Sequence, residues 1–425
     1  MAHRAAERAA TARRVPPLAV TVDPDAQTVA GWACDLDALL ARLAPYFPRA
    51  EARRQVAAYL HGLPSPVERK NGWQMAEAAG ATTPYAMQHL LGRAIWDAEA
   101  VRDELRAYVM EHLGDPEAVL VIDETGFLKK GTHSVGVARQ YSGTAGRIEN
   151  CQIGVFLVYA SPRGRAFLDR ALYLPKAWAQ DAARRAAAGV PPDIAFRTKP
   201  QLACAMLERA FAAGVPAAWV TADEVYGGDR RLRLWLEERG VAHVLAVKRT
   251  EPLWATTARG PAQVTPAALA AGAPAAGAPA AEWQRLSAGD GAKGPRLFDW
   301  VRVAIRPLAD PDWDYWLLAR RSLADPSDVA YYVCFAPAGA TLAEMVRIAG
   351  TRWIIEDGFA AAKGEVGLDH YEVRRWDGWH RHVTLCLLAL AFLVTTQTHA
   401  NAVGRPPPSR GSLAAFRAWR GLACG

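Results

Sequence analysis

Short apolar runs that end in polar residues alternate with amphipathic stretches through the middle of the chain. The runs AVLVID (118–123), AAWVTAD (217–223) and VAHVLAVK (241–248) are apolar and rich in valine, which predicts buried strands. Between the first two, IGVFLVYAS and AFLDRALYLP flank the turn SPRG and predict a hairpin. Residues 202–214 and 229–240 predict helices that end at glycines. The order strand, hairpin, helix, strand, helix, strand predicts an α/β core.

The chain before this core has the apolar spacing of helices. Residues 36–63 predict two helices broken near Pro45 and Pro48, and residues 98–113 predict an amphipathic helix that leads into the first strand. Residues 72–97 predict a helix, a glycine-containing turn and a second helix. That pattern is typical of helix-turn-helix DNA readers, and also of any helical hairpin.

After the third buried strand the pattern changes. An Ala/Pro/Gly-rich stretch within residues 262–283 is followed by FDWVRVAIRPL, YWLLARRS and AYYVCFAP, whose β-branched and aromatic content predicts strands. We therefore expect residues 250–336 to be a β-rich insertion. The twelve-residue apolar run VTLCLLALAFLV (383–394) is too short to span a bilayer and predicts a buried helix.

Residues 341–363 predict one helix with a line of charges beside its apolar face. Thr341 is the expected N-cap. The apolar stripe comprises Met345, Ile348, Ile355 and Phe359. Arg352, Glu356 and Lys363 lie four and seven residues apart and share a second stripe. Taken alone, such a stripe is typical of a solvated helix face.

Two aspartates end predicted buried strands and change that interpretation. Asp123 closes AVLVID and Asp223 closes AAWVTAD. In open α/β sheets, sites collect at the carboxyl ends of strands. With Glu356 they supply three carboxylates, which is what a pair of Mg²⁺ ions needs for phosphodiester chemistry. The alternative is that a strand-end aspartate caps the next helix or turn.

Three neighbouring acids are rivals for the same role. Glu124 and Glu224 each follow an aspartate by one residue, so in a strand they would point to the opposite face. Asp357 lies about 100° around the helix from Glu356, away from the charged stripe.

Composition is compatible with a nucleic-acid partner without requiring one. The chain has 425 residues, 51% of them hydrophobic, and a net charge of +7, which allows two or three domains and a modest attraction to nucleic acid. Its six scattered cysteines form no C-x-x-C pair, which argues against a zinc ribbon. The Ala- and Arg-rich N-terminus lacks the apolar segment of a secretory signal, so we expect a cytoplasmic protein.

The order Asp, Asp, Glu resembles that of the DDE transposases, whose catalytic domain has the ribonuclease H-like fold. The spacing of Arg352, Glu356 and Lys363 is similar to the signature Tyr-x2-Arg-x3-Glu-x6-Lys of the branch that includes the bacterial cut-and-paste insertion-sequence transposases. The tyrosine position is Ala349 here. Other segments that resemble this group are VIDETGFLKKG (121–131), ARQYSG (138–143), TADEVYG (221–227) and RWDGWHRHVTL (375–385), so that the resemblance runs from about Glu68 to about Thr396.

The resemblance implies an α/β fold, with a ribonuclease H-like mixed sheet, a β-rich insertion between the second Asp and the Glu, and an all-α N-terminal domain. The expected division is a disordered basic tail (1–30), a helical and DNA-binding domain (31–115), the first part of the core (116–249), the insertion (250–336), the second part of the core with the Glu356 helix (337–400) and a loose tail (401–425).

The implied activity is cut-and-paste transposition. The protein would bind terminal inverted repeats, hydrolyse a phosphodiester at each end with water activated by one of two Mg²⁺ ions (Mn²⁺ as a substitute), and join the 3′-hydroxyl ends to target DNA. Asp123, Asp223 and Glu356 would be the catalytic metal ligands. The implied DNA-phosphate contacts are Arg352, Lys363, Lys129, Lys130 and Arg139. We expect a homodimer on double-stranded DNA, associated with the bacterial nucleoid, with no membrane and no small-molecule cofactor.

Two alternatives share this ancestry. One is a catalytically silent or domesticated DNA-binding regulator, for which Ala349 and the Ala/Pro-rich stretch leave room. The other is a metal-dependent DNA nuclease without a joining step. His380 and His382 are expected to be structural or to face DNA. Core packing is the simpler role for the insertion tryptophans, although in some relatives one such residue stacks on a flipped base; the four are Trp283, Trp300, Trp313 and Trp316.

Overall fold

The computed structural model describes residues 26–257, 260–271, 282–291 and 294–402. Most of the two tails expected at residues 1–30 and 401–425 lies outside these ranges, namely residues 1–25 and 403–425, as do residues 272–281 of the Ala/Pro-rich stretch.

Among the residues that the structure describes, five helices precede the sheet. They are α1 (Ala26–Leu43), α2 (Ala50–Gly62), α3 (Gly72–Ala78), α4 (Tyr85–Gly92) and α5 (Ala98–Leu113). The break predicted near Pro45 and Pro48 is present as a 3₁₀ turn over Ala44–Tyr46. The helix-turn-helix pattern at 72–97 is confirmed as the pair α3 and α4. The predicted end of the disordered tail at residue 30 is wrong, because α1 already begins at Ala26.

A ten-stranded mixed sheet forms the centre of the fold. Its first strands are β1 (Val119–Leu128), β2 (Ala138–Ser142), β3 (Arg147–Ser161), β4 (Gly164–Tyr173), β5 (Trp219–Ala222) and β6 (His243–Val247). Strand β3 runs antiparallel to β1, β2 and β4, whereas β5 is parallel to both β1 and β6. The α/β class and the mixed sheet are confirmed, and the order β4-β3-β1-β5-β6 is consistent with a ribonuclease H-like fold.

Strand β1 is longer than the sequence pattern predicts. The apolar run stops at Asp123, but the strand continues to Leu128 because β3 pairs with it residue by residue as far as Leu128 and Cys151. Asp123 is therefore not a strand end. It lies at the point where the parallel neighbour β5 stops, since the last β1–β5 pair is Ile122 with Ala222. The predicted long Gly-rich connection at 124–150 is correspondingly shorter and contains β2.

The predicted insertion mostly enlarges the same sheet. A small hairpin of β7 (Leu253–Thr257) and β8 (Gly260–Val264) comes first, followed along the chain by the helix at Pro266–Ala270. The strands β9 (Gln284–Gly291), β10 (Gly294–Ala304), β11 (Trp313–Arg321) and β12 (Val329–Pro337) then extend the sheet from β6 in the order β12-β11-β10-β9. Because β12 pairs antiparallel with β6, the insertion strands and the core strands belong to one continuous sheet.

Helices cover both faces of the sheet. Between β4 and β6 lie α6 (Lys176–Ala179), α7 (Ala182–Ala187), α8 (Lys199–Ala212), α9 (Glu224–Gly227) and α10 (Arg230–Glu237). The Pro266–Ala270 helix is α11, and after β12 come α12 (Leu342–Thr351), α13 (Ile354–Val366) and α14 (Trp376–Ala402). Most buried apolar side chains form one cluster that includes α1 to α5, the sheet and α12 to α14, and a second, smaller cluster lies between β7, α11, β11 and β12.

The helix predicted at 383–394 is confirmed as the buried part of α14. Among the described residues, the segment Trp376–Ala400 is the one helix long and apolar enough to cross a membrane by length and composition. Most of that segment is buried inside the fold, where it packs on β4, α5 and α13. A core helix accounts for its apolar character.

Candidate active site

Asp123 and Asp223 lie side by side across the β1–β5 boundary. Each follows a residue of the last parallel pair, Ile122 and Ala222. Asp223 also caps α9, because its side chain accepts a hydrogen bond of 2.9 Å from the amide of Val225. The capping role weighed for a strand-end aspartate is thus present at Asp223, beside the carboxylate of Asp123.

Burial and neighbouring acids destabilise the charged forms of both carboxylates. Burial, followed by the Asp223 charge, raises the pKa of Asp123 well above its usual value. Burial, followed by the Glu124 charge, raises the pKa of Asp223. A buried pair of acids with such pKa shifts lacks sufficient positive charge from the protein. A cation between the two would remove the repulsion.

Glu124 points away from Asp123, as strand alternation predicts. Its carboxylate contacts the ammonium of Lys199 in α8 and accepts a hydrogen bond from the hydroxyl of Tyr226 in α9, each at 2.5 Å. Asp123 instead faces Arg352, which follows α12 on the other side of the sheet. Glu124 therefore has its own partners, and its charge reaches the aspartates from the opposite face.

The other rival acids lie outside this arrangement. Glu224 is the first residue of α9 and is exposed. Asp357 is exposed and forms an ion pair of 3.6 Å with Arg165 of β4. Neither appears beside Asp123 in the contacts of the described residues.

The Glu356 helix differs from the single helix expected at 341–363. Helix α12 ends at Thr351 and α13 begins at Ile354, while Arg352 and Trp353 between them keep helical backbone angles. Backbone hydrogen bonds there run three residues back, from the Ile355 amide to the Arg352 carbonyl and from the Glu356 amide to the Trp353 carbonyl. The i→i−4 ladder is therefore interrupted next to the site, a feature often found at functional positions.

Helix α12 packs closely on β9 just before this interruption. Gly350 lies so near the backbone of β9 that a Cβ atom there would come within 2.0 Å of the Ala288 carbonyl oxygen. Glycine is thus needed two residues before Arg352. The first insertion strand of the large sheet forms part of the support for the charged segment.

Arg352 links Asp123 with Glu356. One guanidinium nitrogen lies 3.8 Å from Oδ2 of Asp123 and 3.5 Å from Oε1 of Glu356. Although burial opposes its charge, the Asp123 carboxylate raises the pKa of Arg352. The Glu356 side chain is 63% exposed and lies in the first turn of α13, where an acid interacts favourably with the helix dipole.

The three predicted ligands are not yet gathered into one coordination shell. In residues 26–257, 260–271, 282–291 and 294–402, no three His, Cys, Asp or Glu side chains are close enough together to hold a metal ion. Asp123 and Asp223 are neighbours, while a guanidinium separates Asp123 from Glu356. The donor set nevertheless fits a hard divalent cation, because all three side chains offer carboxylate oxygens and two of them are electrostatically uncompensated.

Lys363 reaches the same face of β1 as Asp123. Its ammonium donates to the hydroxyl of Thr125 at 2.8 Å and to that of Thr144 at 3.2 Å. Thr125 is two residues beyond Asp123 and thus on the same side of the strand. Burial lowers the pKa of Lys363. Arg352 and Lys363 therefore flank Asp123, as the shared stripe of the sequence implies.

The remaining predicted phosphate contacts do not join this group. Lys129 lies 3.5 Å from the centroid of the Tyr371 ring and donates to the Tyr371 carbonyl at 3.3 Å. Burial lowers the pKa of Lys129 to about 8. Lys130 is exposed just after β1, and Arg139 is exposed in β2. Their contacts with DNA stay predictions.

The surroundings of three residues near the site depend on tertiary contacts, so the sequence patterns alone do not reveal them. Ala349, which replaces the signature tyrosine, is buried in α12. Tyr332 of β12 lies near enough to Arg352 to raise the pKa of that guanidinium. Tyr226 is part of the quoted TADEVYG segment, which was the available signal for it, but nothing in the sequence connects it with Glu124.

Both histidines of WHRHV are buried. The Nδ1 atom of His382 is 2.7 Å from the hydroxyl of Tyr59 in α2, and Nδ1 of His380 is 2.9 Å from the Trp376 carbonyl. Burial lowers the pKa of each to about 3. The structural role is therefore observed, and neither ring faces the surface.

The insertion tryptophans also pack within the protein. Trp300 is fully buried, and Trp313 stacks on Phe335 with ring centroids 4.2 Å apart. Trp316 lies under Arg302, and Trp283 lies under Arg321. These contacts favour the packing interpretation.

Comparison with known proteins gives two matches. The sequence profile of the family described as DDE superfamily endonuclease matches residues 42–306, which is more than half of the chain and includes Asp123 and Asp223 but not Glu356. The chain is also 24% identical over 323 residues to a probable transposase for insertion sequence element IS701 from Microchaete diplosiphon. That similarity covers 75% of this chain and 76% of the relative.

Proposed function

Because the chain belongs to the DDE superfamily of endonucleases and its resemblance to insertion-sequence transposases is confirmed, we propose that it cuts DNA at the ends of its own mobile element and joins the 3′-hydroxyl ends to a target. The observation that carries the proposal is the partly buried pair Asp123 and Asp223, linked through Arg352 to Glu356. The site combines carboxylates with basic side chains, and this combination suits a phosphodiester substrate.

Asp123, Asp223 and Glu356 would hold the divalent cations, with Mg²⁺ proposed and Mn²⁺ as a substitute, two ions per site. When bound, such ions stabilise charge on the reacting phosphate and lower the pKa of the attacking water. No general-base histidine is then required, which agrees with the burial of His380 and His382.

Arg352 and Lys363 would orient the DNA strand. Arg352 now contacts two carboxylates, and its planar guanidinium can exchange one of them for a phosphate in the same geometry. Lys363 donates to two threonine hydroxyls and to the Gly126 carbonyl, and within the described residues it forms no ion pair with a carboxylate, so its charge is available to a phosphate. Both residues hold the strand along the β1 face on which Asp123 lies.

The helical part of the chain would bind the terminal inverted repeats. Helices α3 and α4 form the predicted hairpin, and Trp73 and Tyr85 on them are exposed. The proposed units are the expected ones: DNA binding at 31–115, the divided core at 116–249 and 337–400, and the insertion at 250–336. Two ends must be cut together, so a homodimer on nucleoid DNA is part of the proposal.

The test is cleavage of duplex DNA that carries the flanks of the gene, in Mg²⁺ and in Mn²⁺. The wild-type protein should cut at the element ends and join them to target DNA. Glu356→Gln should lower cleavage by about 10³-fold or more while it leaves DNA binding intact, because a metal ligand supplies several kcal/mol to the transition state.

Asp357→Asn is the matched control, since this neighbouring acid is exposed and pairs with Arg165 instead of the site. It should cut at nearly the wild-type rate. Tight binding without any cutting would assign the chain to the regulator alternative, and cutting without joining would assign it to the nuclease alternative.

A further inference from the structure

A stack of aromatic rings and arginines lies against the segment that carries the site. Trp353 directly follows Arg352, and its ring stacks on Phe298 of β10 with centroids 5.9 Å apart and planes 24° apart. Phe298 also meets the buried Trp300 edge-on at 6.2 Å. The two insertion strands β10 and β11 thus provide one wall beside Arg352.

Three guanidinium groups surround the Trp353 ring. The distances to its centroid are 5.0 Å from Arg296, 5.1 Å from Arg320 and 6.0 Å from Arg352. Arg352 has Asp123 and Glu356 as partners. Arg296 donates to the carbonyl of Asp290 at 2.8 Å. Two of the three cations are therefore bound to oxygen atoms of the protein.

Arg320 has no such partner. Its guanidinium lies 4.4 Å from the Phe298 ring and 5.1 Å from the Trp353 ring, but within the described residues its buried Nε atom has no hydrogen-bond acceptor and the side chain forms no ion pair. A partly buried guanidinium without an acceptor loses hydration without compensation. The aromatic rings hold its plane, and an anion would complete its bonding.

We propose that Arg320 binds a DNA phosphate next to the cleaved one, with Phe298 and Trp353 holding its guanidinium in place. The proposal rests on the proposed function, and it extends the DNA-binding face onto strand β11 of the insertion. A phosphate fits because it accepts two parallel N–H bonds from a guanidinium. The position follows from Trp353, which adjoins Arg352, and Arg352 contacts two of the three candidate ligands, Asp123 and Glu356.

Arg321 offers a matched control on the same strand. It is paired across to Asp299, whereas Arg320 is paired across to Trp300, so the two arginines lie on opposite faces of β11. Arg321 has a carboxylate partner at 3.4 Å in Asp299 and lies over Trp283 at 4.2 Å. Arg321→Gln removes the same charge from the same strand without touching the stack.

The experiment measures affinity for the flanking-sequence duplex over a series of salt concentrations in metal-free buffer. Arg320→Gln should weaken binding about tenfold and reduce the slope of log affinity against log salt by about 0.9, the value for one lost phosphate contact. Arg321→Gln should keep the wild-type slope. Arg320→Lys should keep the slope as well, because it retains the charge, while it loses the bidentate geometry and some affinity.

Replacing single phosphates by uncharged methylphosphonates locates the contact. Wild-type binding should fall at one phosphate adjacent to the cleavage position, and Arg320→Gln should be insensitive at that same phosphate. Equal slopes for Arg320→Gln and the wild type would overturn the inference, as would equal losses for the two glutamine variants. A wild-type protein that binds no flanking DNA would refute the proposed function itself, an outcome distinct from either of these.

Discussion

Two groups of carboxylates, one buried at Asp169 and one partly buried at Asp123 and Asp223, differ in how far arginines compensate their charge. Asp169, in β4, has a side chain that is only 2% exposed, and three arginines approach it from α5, β4 and α8. The three are Arg102 at 3.2 Å, Arg170 at 3.7 Å and Arg209 at 2.9 Å. The carboxylates of Asp123 and Asp223 have a single arginine, Arg352, near them among the described residues, and its guanidinium lies 3.8 Å from the Asp123 carboxylate.

The pKa shifts record this difference. Beside Asp169, the carboxylate of Glu99 contacts Arg170 at 2.8 Å. Burial alone would raise the pKa of Glu99, but Arg170 lowers this pKa to about 2. At the site, burial and the neighbouring acids raise the pKa of Asp123 and of Asp223. The Asp169 group is satisfied from within and joins helices to the sheet. The Asp123 group lacks such compensation, and we propose that a divalent cation binds there.

The strongest test of this comparison is Asp123→Asn. We expect DNA-end cleavage to fall by about 10³-fold or more, since a ligand of the reacting centre is lost. The free energy of unfolding in EDTA should not fall, because the substitution removes repulsion with Asp223. Urea unfolding and end cleavage measure the two effects. A large loss of stability would show that Asp123 belongs to a compensated group.

The opposite result is expected for Asp169→Asn. Three arginines would lose a buried carboxylate partner, and breaking a buried ion pair costs about 3–5 kcal/mol. Urea unfolding in EDTA should show this loss, while the folded fraction still binds the flanking duplex. A change below about 1 kcal/mol would contradict the structural role.

The free energy of unfolding should also fall in acid, because the fold buries histidine side chains. The pKa of His382 is lowered by burial to about 3, below its unfolded value near 6.5, so the unfolded state binds more protons between these values. Stability is therefore complete above pH 6.5 and falls as the pH drops towards 3. From pH 7 to pH 5 the loss is about 2 kcal/mol for this residue.

Unfolding of His382→Gln at both pH values isolates that contribution. The variant should lose about 2 kcal/mol less than the wild type over this interval. Equal losses in the two proteins would mean that His382 is not held neutral in the fold.

The smallest effect is expected for Glu124→Gln. This carboxylate lies beside the aspartates but is already bound by Lys199 and Tyr226, so it should behave like the compensated group. Cleavage should stay within about tenfold of the wild type and stability should fall by about 1 kcal/mol. Cleavage as low as that of Asp123→Asn would instead identify Glu124 as a ligand.

Local patterns were enough to find the catalytic candidates. Asp123, Asp223 and the stripe of Arg352, Glu356 and Lys363 come from apolar runs and helical spacing, and the structure places Arg352 and Lys363 beside Asp123. The orientation of Glu124 follows from strand alternation alone. Their roles as metal ligands and phosphate contacts stay predictions.

Features set by distant pairing could not be found in this way. Strand β1 runs past Asp123 because β3 pairs with it, and α12 stops at Thr351 beside a helix–strand contact at Gly350. The Asp169 group is spread over α5, β4 and α8. The unpartnered Arg320 is recognisable only once β10 and β11 are placed against Trp353.

The central proposal is that Asp123 and Asp223 bind the divalent cation. It is tested by counting bound Mn²⁺ by electron paramagnetic resonance with the flanking duplex present. The wild type and Glu99→Gln should bind the ion, whereas Asp123→Asn and Asp223→Asn should each lose most of the affinity, because these two carboxylates are the ones left uncompensated. Unchanged Mn²⁺ binding by Asp123→Asn would contradict the account.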